Sequence, residues 1–159
     1  MSSHITQTGK GTKGLLKALQ NVSVTVGIHE AEGRQSKEGS DKGESLAEVA
    51  TKHEFGLGTP RRSTIADWFD SREPELREDL QKIAKAAVAN HLPVAQAAQR
   101  FGALCVGQIQ QRIADGIPPE LSARRKAEKE ALSGSPKDTP LIFTGQFRSS
   151  FRSVVEVVP

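Results

Sequence analysis

Between Pro74 and Gly116 the apolar residues recur every three or four positions, and this spacing commits a long stretch of the chain to paired amphipathic helices. Leu76, Leu80, Ile83, Ala87 and Val88 form the first stripe, ending near Asn90. Val94, Ala98, Phe101, Cys105, Ile109 and Ile113 form the second, and Pro93 is acceptable in its first turn. Two such helices need another surface to cover their apolar faces. Val22, Val24, Val26 and Ile28 supply one, because they alternate with Asn21, Ser23, Thr25 and Gly27 at the period of a strand. Near the other end Val154, Val155, Val157 and Val158, interrupted by Glu156, read as a terminal strand. The pattern predicts an α+β fold: a small antiparallel sheet packed against two long helices, with flexible loops. Two strands alone are marginal, so either a third comes from the Ser63–Phe69 stretch or the sheets of neighbouring subunits join.

The remaining segments fit around that frame. Residues 1–14 are polar and rich in glycine and read as a flexible arm, leaving 15–159 as one domain in which Leu15, Leu16 and Leu19 suggest a short helix. His29–Glu44 lacks large apolar residues and is expected to be a loop, as is Ser133–Pro140. Ser45 and Glu48 make a capping box, and Gly56 is placed to end the helix it opens. Gly56–Arg62 is a connector into a short strand or extended arm over Ser63–Phe69. Glu120–Leu132 is a charged helix, and Thr144 is expected to cap a short one carrying Phe147 and Phe151.

Composition narrows the chemistry. A hydrophobic share of 36% and an aromatic share of 4% allow one modest core, with Trp68 and the phenylalanines as its few bulky anchors. The single cysteine, Cys105, lies on an apolar stripe, which excludes an internal disulfide and a four-thiolate zinc site. No apolar run is long enough to cross a bilayer, and a soluble chain is expected. His53-Glu54 opens like a zinc-protease helix, but Leu57 stands where the second histidine belongs, and His4, His29 and His91 have no ligand spacing. Gly9–Gly14 has the composition of a phosphate loop without its order. No catalytic set, metal or cofactor is expected. Lys+Arg of 22 against Asp+Glu of 19 is mild, yet Lys10, Lys13, Arg124, Arg125 and Lys126 are candidates to face DNA, alongside Lys17 and Arg61-Arg62. One reading of these clusters is an accessory nucleic-acid-binding protein that uses them.

Three segments in order resemble the tail-completion and virion-morphogenesis proteins of long-tailed bacteriophages. Leu46–Gly56, ending in His53-Glu54-Phe55-Gly56 and followed by Gly58-Thr59-Pro60-Arg61-Arg62-Ser63, looks like that family's helix and arginine-containing arm. Ile117-Pro118-Pro119-Glu120-Leu121-Ser122 resembles its Pro-Pro turn before a basic helix. Pro140-Leu141-Ile142-Phe143-Thr144-Gly145-Gln146-Phe147 is similar to its Pro-Leu-x-x-Thr-Gly-x-Leu segment, with Phe147 in place of leucine. The arm also departs from the pattern, carrying Ser63-Thr64-Ile65 where an aromatic or Pro-Phe pair is common.

The resemblance implies a non-catalytic structural subunit at the head-tail junction of the virion, present in the host cytoplasm during assembly. It would form a homo-oligomer, by the family's symmetry a hexameric ring. That ring would dock with neck or connector and tail tube or terminator proteins, with genomic DNA passing through its lumen and no membrane involved. The expected interface residues are His53, Glu54, Phe55, Gly56, Arg61, Arg62, Trp68, Thr144, Gly145 and Phe147, with Gly56 and Gly58 aiming the arm and the two arginines meeting carboxylates across the ring.

Overall fold

A computed structural model describes residues 22–29, 45–133, 140–141 and 145–157. The elements are β1 (Val22–Gly27), α1 (Leu46–Phe55), α2 (Ala66–Ala89), α3 (Val94–Asp115), α4 (Ala123–Ser133), α5 (Gln146–Ser149) and β2 (Arg152–Val157). The arrangement is α+β with a small antiparallel sheet, as the periodicities predict; the sheet packs on α3, and α2 packs on α3.

α3 is the central element, touching both strands, α2 and α5. Its buried positions Ala98, Gly102, Cys105, Ile109 and Ile113 fall at intervals of three and four, so one face is occupied along its whole length. β1 and β2 pair antiparallel, with Val24 opposite Val155 and Val26 opposite Ser153. The face carrying Val24 and Ser153 lies against α3 at Gly102, where an added Cβ would sit 2.6 Å from Ser153 Cβ and 3.2 Å from Val24 Cγ1. A glycine lets helix and sheet approach this closely. Ser23, Thr25, Val154 and Glu156 on the opposite face are exposed. Below the sheet, Leu46, Trp68, Leu76, Cys105, Ile109, Ile113, Ile117, Phe147 and Phe151 form one core, in which the two phenylalanine rings meet edge to face at 5.5 Å.

Three expectations change. Ser63–Phe69 is not a strand: α2 begins at Ala66 and runs through Pro74, well before the expected start. Pro74 and Asp70 are both exposed, so water can satisfy the carbonyl that Pro74 has no N–H to reach. No third strand joins the sheet among the described residues, and both outer edges lack a partner there. Leu80 and Val88, placed on the core stripe by spacing, are exposed on α2. The arm at 1–14, the helix near Leu15 and the loops over 30–44 and 134–139 lie outside the described residues.

Candidate functional site

The segment expected to reach a neighbour is folded back into a clamp. Ser45 Oγ accepts from the Glu48 amide at 3.1 Å while Glu48 accepts from the Ser45 amide at 2.7 Å, so the capping box is real. α1 ends at Gly56 in the left-handed region (φ 73°), which glycine occupies without strain. The chain reverses there, and the Arg62 amide donates to the His53 carbonyl at 2.7 Å.

The reversal brings Glu54 under the start of α2. Ile65 at the N-cap has no side-chain oxygen with which to satisfy the first amides of that helix. Glu54 does so from the neighbouring helix. Its Oε1 accepts from Ser63 Oγ at 2.6 Å and from the Ala66 amide at 2.8 Å. Its Oε2 accepts from the Thr64 amide at 2.8 Å, Thr64 Oγ1 at 3.1 Å and the Ile65 amide at 3.2 Å. Burial alone would raise the Glu54 pKa, but the Ser63 hydroxyl and the amides of Ala66, Thr64 and Ile65 outweigh it and hold the carboxyl below its usual range. The position also places a negative charge at the positive end of the α2 dipole.

The two arginines divide the remaining work. Arg61 Nε donates to the Glu54 carbonyl at 3.1 Å and its NH2 pairs with Asp67 Oδ1 at 2.7 Å, on the surface. Arg62 is 4% exposed, and its guanidinium donates to the carbonyls of Pro119 at 2.8 Å and Glu120 at 3.1 Å. This ties the α1–α2 junction to the cis Pro118-Pro119 turn before α4. Burial and the nearby Arg62 charge push the His53 pKa down.

Several proposed interface residues therefore have internal jobs. Arg62 is spent inside the fold, Glu54 caps α2, and Trp68 and Phe147 are core residues. Gly145 has φ 78° and stands at the N-cap of α5 without a side-chain bond, while Thr144 lies outside the described residues. Beside the Arg61–Asp67 pair the clamp leaves apolar side chains outside: Phe55 is 70% exposed, and Leu57 beyond Gly56 and Phe69 at the start of α2 are exposed as well. Compared with models of protein families, with curated proteins and with solved structures, the chain matches none.

The described basic candidates are partly neutralised by acidic neighbours. Arg124 and Arg125 both pair with Glu128, at 2.8 and 2.9 Å, and Lys126 pairs with Glu120 at 3.1 Å. Lys10, Lys13 and Lys17 lie outside the described residues. Cys105 is buried and its thiol is pushed up to about 11, so it packs as a small hydrophobe. Among the described residues no three His, Cys, Asp or Glu gather as metal ligands, and no helix is long and apolar enough to cross a membrane.

The sequence reading missed Ser63 and Thr64 as partners of Glu54, and it missed the Pro119 and Glu120 carbonyls as the seat of Arg62. The cap spans 9 to 12 residues and the arginine contact 57 and 58, so no local spacing signals either.

Proposed function

We propose that the chain is a structural virion assembly protein at the head-tail junction of a long-tailed bacteriophage, a tail-completion or neck subunit that works by oligomerising and docking. The observation that carries this reading is the convergence of the three segments that resemble the family. The helix and arm of the first segment hold the Pro-Pro turn of the second through Arg62. Phe147 of the third packs in the same core as Leu46 of the first and Ile117 of the second. Segments far apart in sequence thus form one interlocked unit, as a resemblance that runs along the whole chain requires.

Two further features suit a ring subunit. The two-stranded sheet has unpaired edges among the described residues, where a neighbour's strand can add hydrogen bonds. Phe55, Leu57 and Phe69 stand exposed around the hydrogen-bonded α1–α2 junction, where a partner can cover them. In this revised assignment the exposed apolar residues and Arg61 face the partner, and Arg62 and Glu54 hold them in place. Closed symmetry satisfies every such surface.

Light scattering of the purified protein, alone and mixed with tailless capsids or free tails, tests the proposal. A ring, or a subunit that adds stoichiometrically to one of the particles, supports it. A monomer that ignores both particles and retains duplex DNA with steep salt dependence overturns it in favour of nucleic-acid binding.

A further inference from the structure

Among the described residues, two helical surfaces stand uncovered, and they match each other. On α2 the side chains of Phe69, Leu80 and Val88 are each about half exposed. The helical repeat puts Phe69, Leu80 and Glu73 within about 40° of one another, with Asp70 beside them. On α4 none of the described side chains is buried, and the helix does not pack along any other element. An isolated helix of its 11 residues is marginal in water. Its root is nonetheless fixed, because Arg62 holds the Pro119 and Glu120 carbonyls and Ile117 lies in the core. Along its length Ala123, Ala127 and Ala131 share one face at intervals of four, all exposed, and such a row can seat larger side chains of another helix.

Charge is unbalanced in opposite senses on the two surfaces. Between Ala66 and Asp79, α2 carries Asp67, Asp70, Glu73, Glu75, Glu78 and Asp79 against Arg72 and Arg77. Glu78 and Asp79 share Lys82, at 3.6 and 3.5 Å, and Asp70 has no ion pair among the described residues. On α4 the shortage is reversed, since Arg124 and Arg125 share Glu128. Glu128 and Glu130 oppose a phosphate backbone, so a helix of mixed charge suits α4 better than duplex DNA does. From Phe69 to Leu80, α2 rises about 16 Å, the length of α4. Both halves of the match lie on one chain, so a second copy supplies the occupant. We infer that α4 of one copy lies along the Phe69–Leu80 side of α2 in the next, with its alanine row on the apolar side chains and Arg124 and Arg125 beside Asp70 and Glu73. A contact between different patches runs head to tail and can close as a ring. It specifies the subunit contact of the ring proposed above and rests on that reading.

Sedimentation velocity of the full chain over a concentration series reads the contact. Arg124→Glu with Arg125→Glu, and separately Asp70→Lys with Glu73→Lys, should each weaken self-association by at least about tenfold. An equimolar mixture of the two variants should associate as the parent does, because each reversed surface then meets its reversed counterpart. The chain carrying all four substitutions should recover in the same way, and recovery shows that the variants are folded. Leu80→Ser, at an exposed position, should weaken association while melting within about 2 °C of the parent. A parent that stays monomeric up to a concentration on the order of 1 mM overturns the contact. Loss without recovery in the mixture also overturns it, and if the α4 variant alone stops retaining duplex DNA, α4 is a nucleic-acid surface instead. Association that is equal in every variant overturns this contact alone, leaving the virion role to be decided by the experiment with capsids and tails.

Discussion

Replacing Glu54 with glutamine changes one oxygen into an amide and keeps the shape of the side chain, so the cost measures the charge and the lost acceptor. If the remaining oxygen stays on Ser63 and Ala66, the new NH2 group faces the amides of Thr64 and Ile65, donor against donor. An unsatisfied buried donor costs about 1–3 kcal/mol, and the partial exposure of this site keeps both near the lower end. Losing the charge at the N-terminus of α2 adds about 0.3–1 kcal/mol. The sum is about 3 kcal/mol, or a fall of about 6–12 °C in melting temperature for a domain of this size. Thermal unfolding followed by circular dichroism at pH 7 reads it directly. The difference has a pH signature as well. The folded pKa of Glu54 is depressed, so its stabilisation is complete above the ordinary carboxyl value of 4.5 and is lost as pH falls through the folded value. The parent and Glu54→Gln should therefore converge in acid. A Glu54→Gln protein that melts within about 2 °C of the parent at pH 7 would refute the cap assignment.

Arg62→Met keeps the buried stem but leaves the Pro119 and Glu120 carbonyls without their donor; a loss of about 2–3 kcal/mol is expected, with trypsin cutting after Arg124 several-fold faster. Gly102→Ala gains about 1 kcal/mol of helix propensity but drives a methyl into Ser153, for a net loss of about 1–2 kcal/mol that Ser153→Gly should largely restore in urea titrations. His53 binds a proton less readily in the folded state, so the stability it contributes is complete above about pH 6.5 and declines as pH falls through its folded value. His53→Asn should flatten that limb of the pH–stability curve, and an unchanged slope would assign the limb to another group.

The elements that the sequence declared were those with local periodicity or local chemistry. The stripe from Val94 to Ile113 and the alternation from Val22 to Val26 each report which side is buried, and the Ser45-Glu48 box closes within one turn. The start of α2 was not legible, because its cap comes from Glu54 on another helix and its interior contains Pro74, which usually marks a boundary. The seat of Arg62 was not legible for a related reason. An arginine in a polar connector looks available to a partner, and only the tertiary fold carries two backbone carbonyls to it.

The pairing of Val22 with Val157 has a consequence for the order in which such a subunit acquires its binding surfaces. Closing so long a loop costs entropy that no neighbouring contact returns, so the sheet forms only once α3 offers its face to both strands. Until then there is no sheet edge for a neighbour to extend. If the proposed ring forms through that edge, its assembly has to follow the folding of the domain.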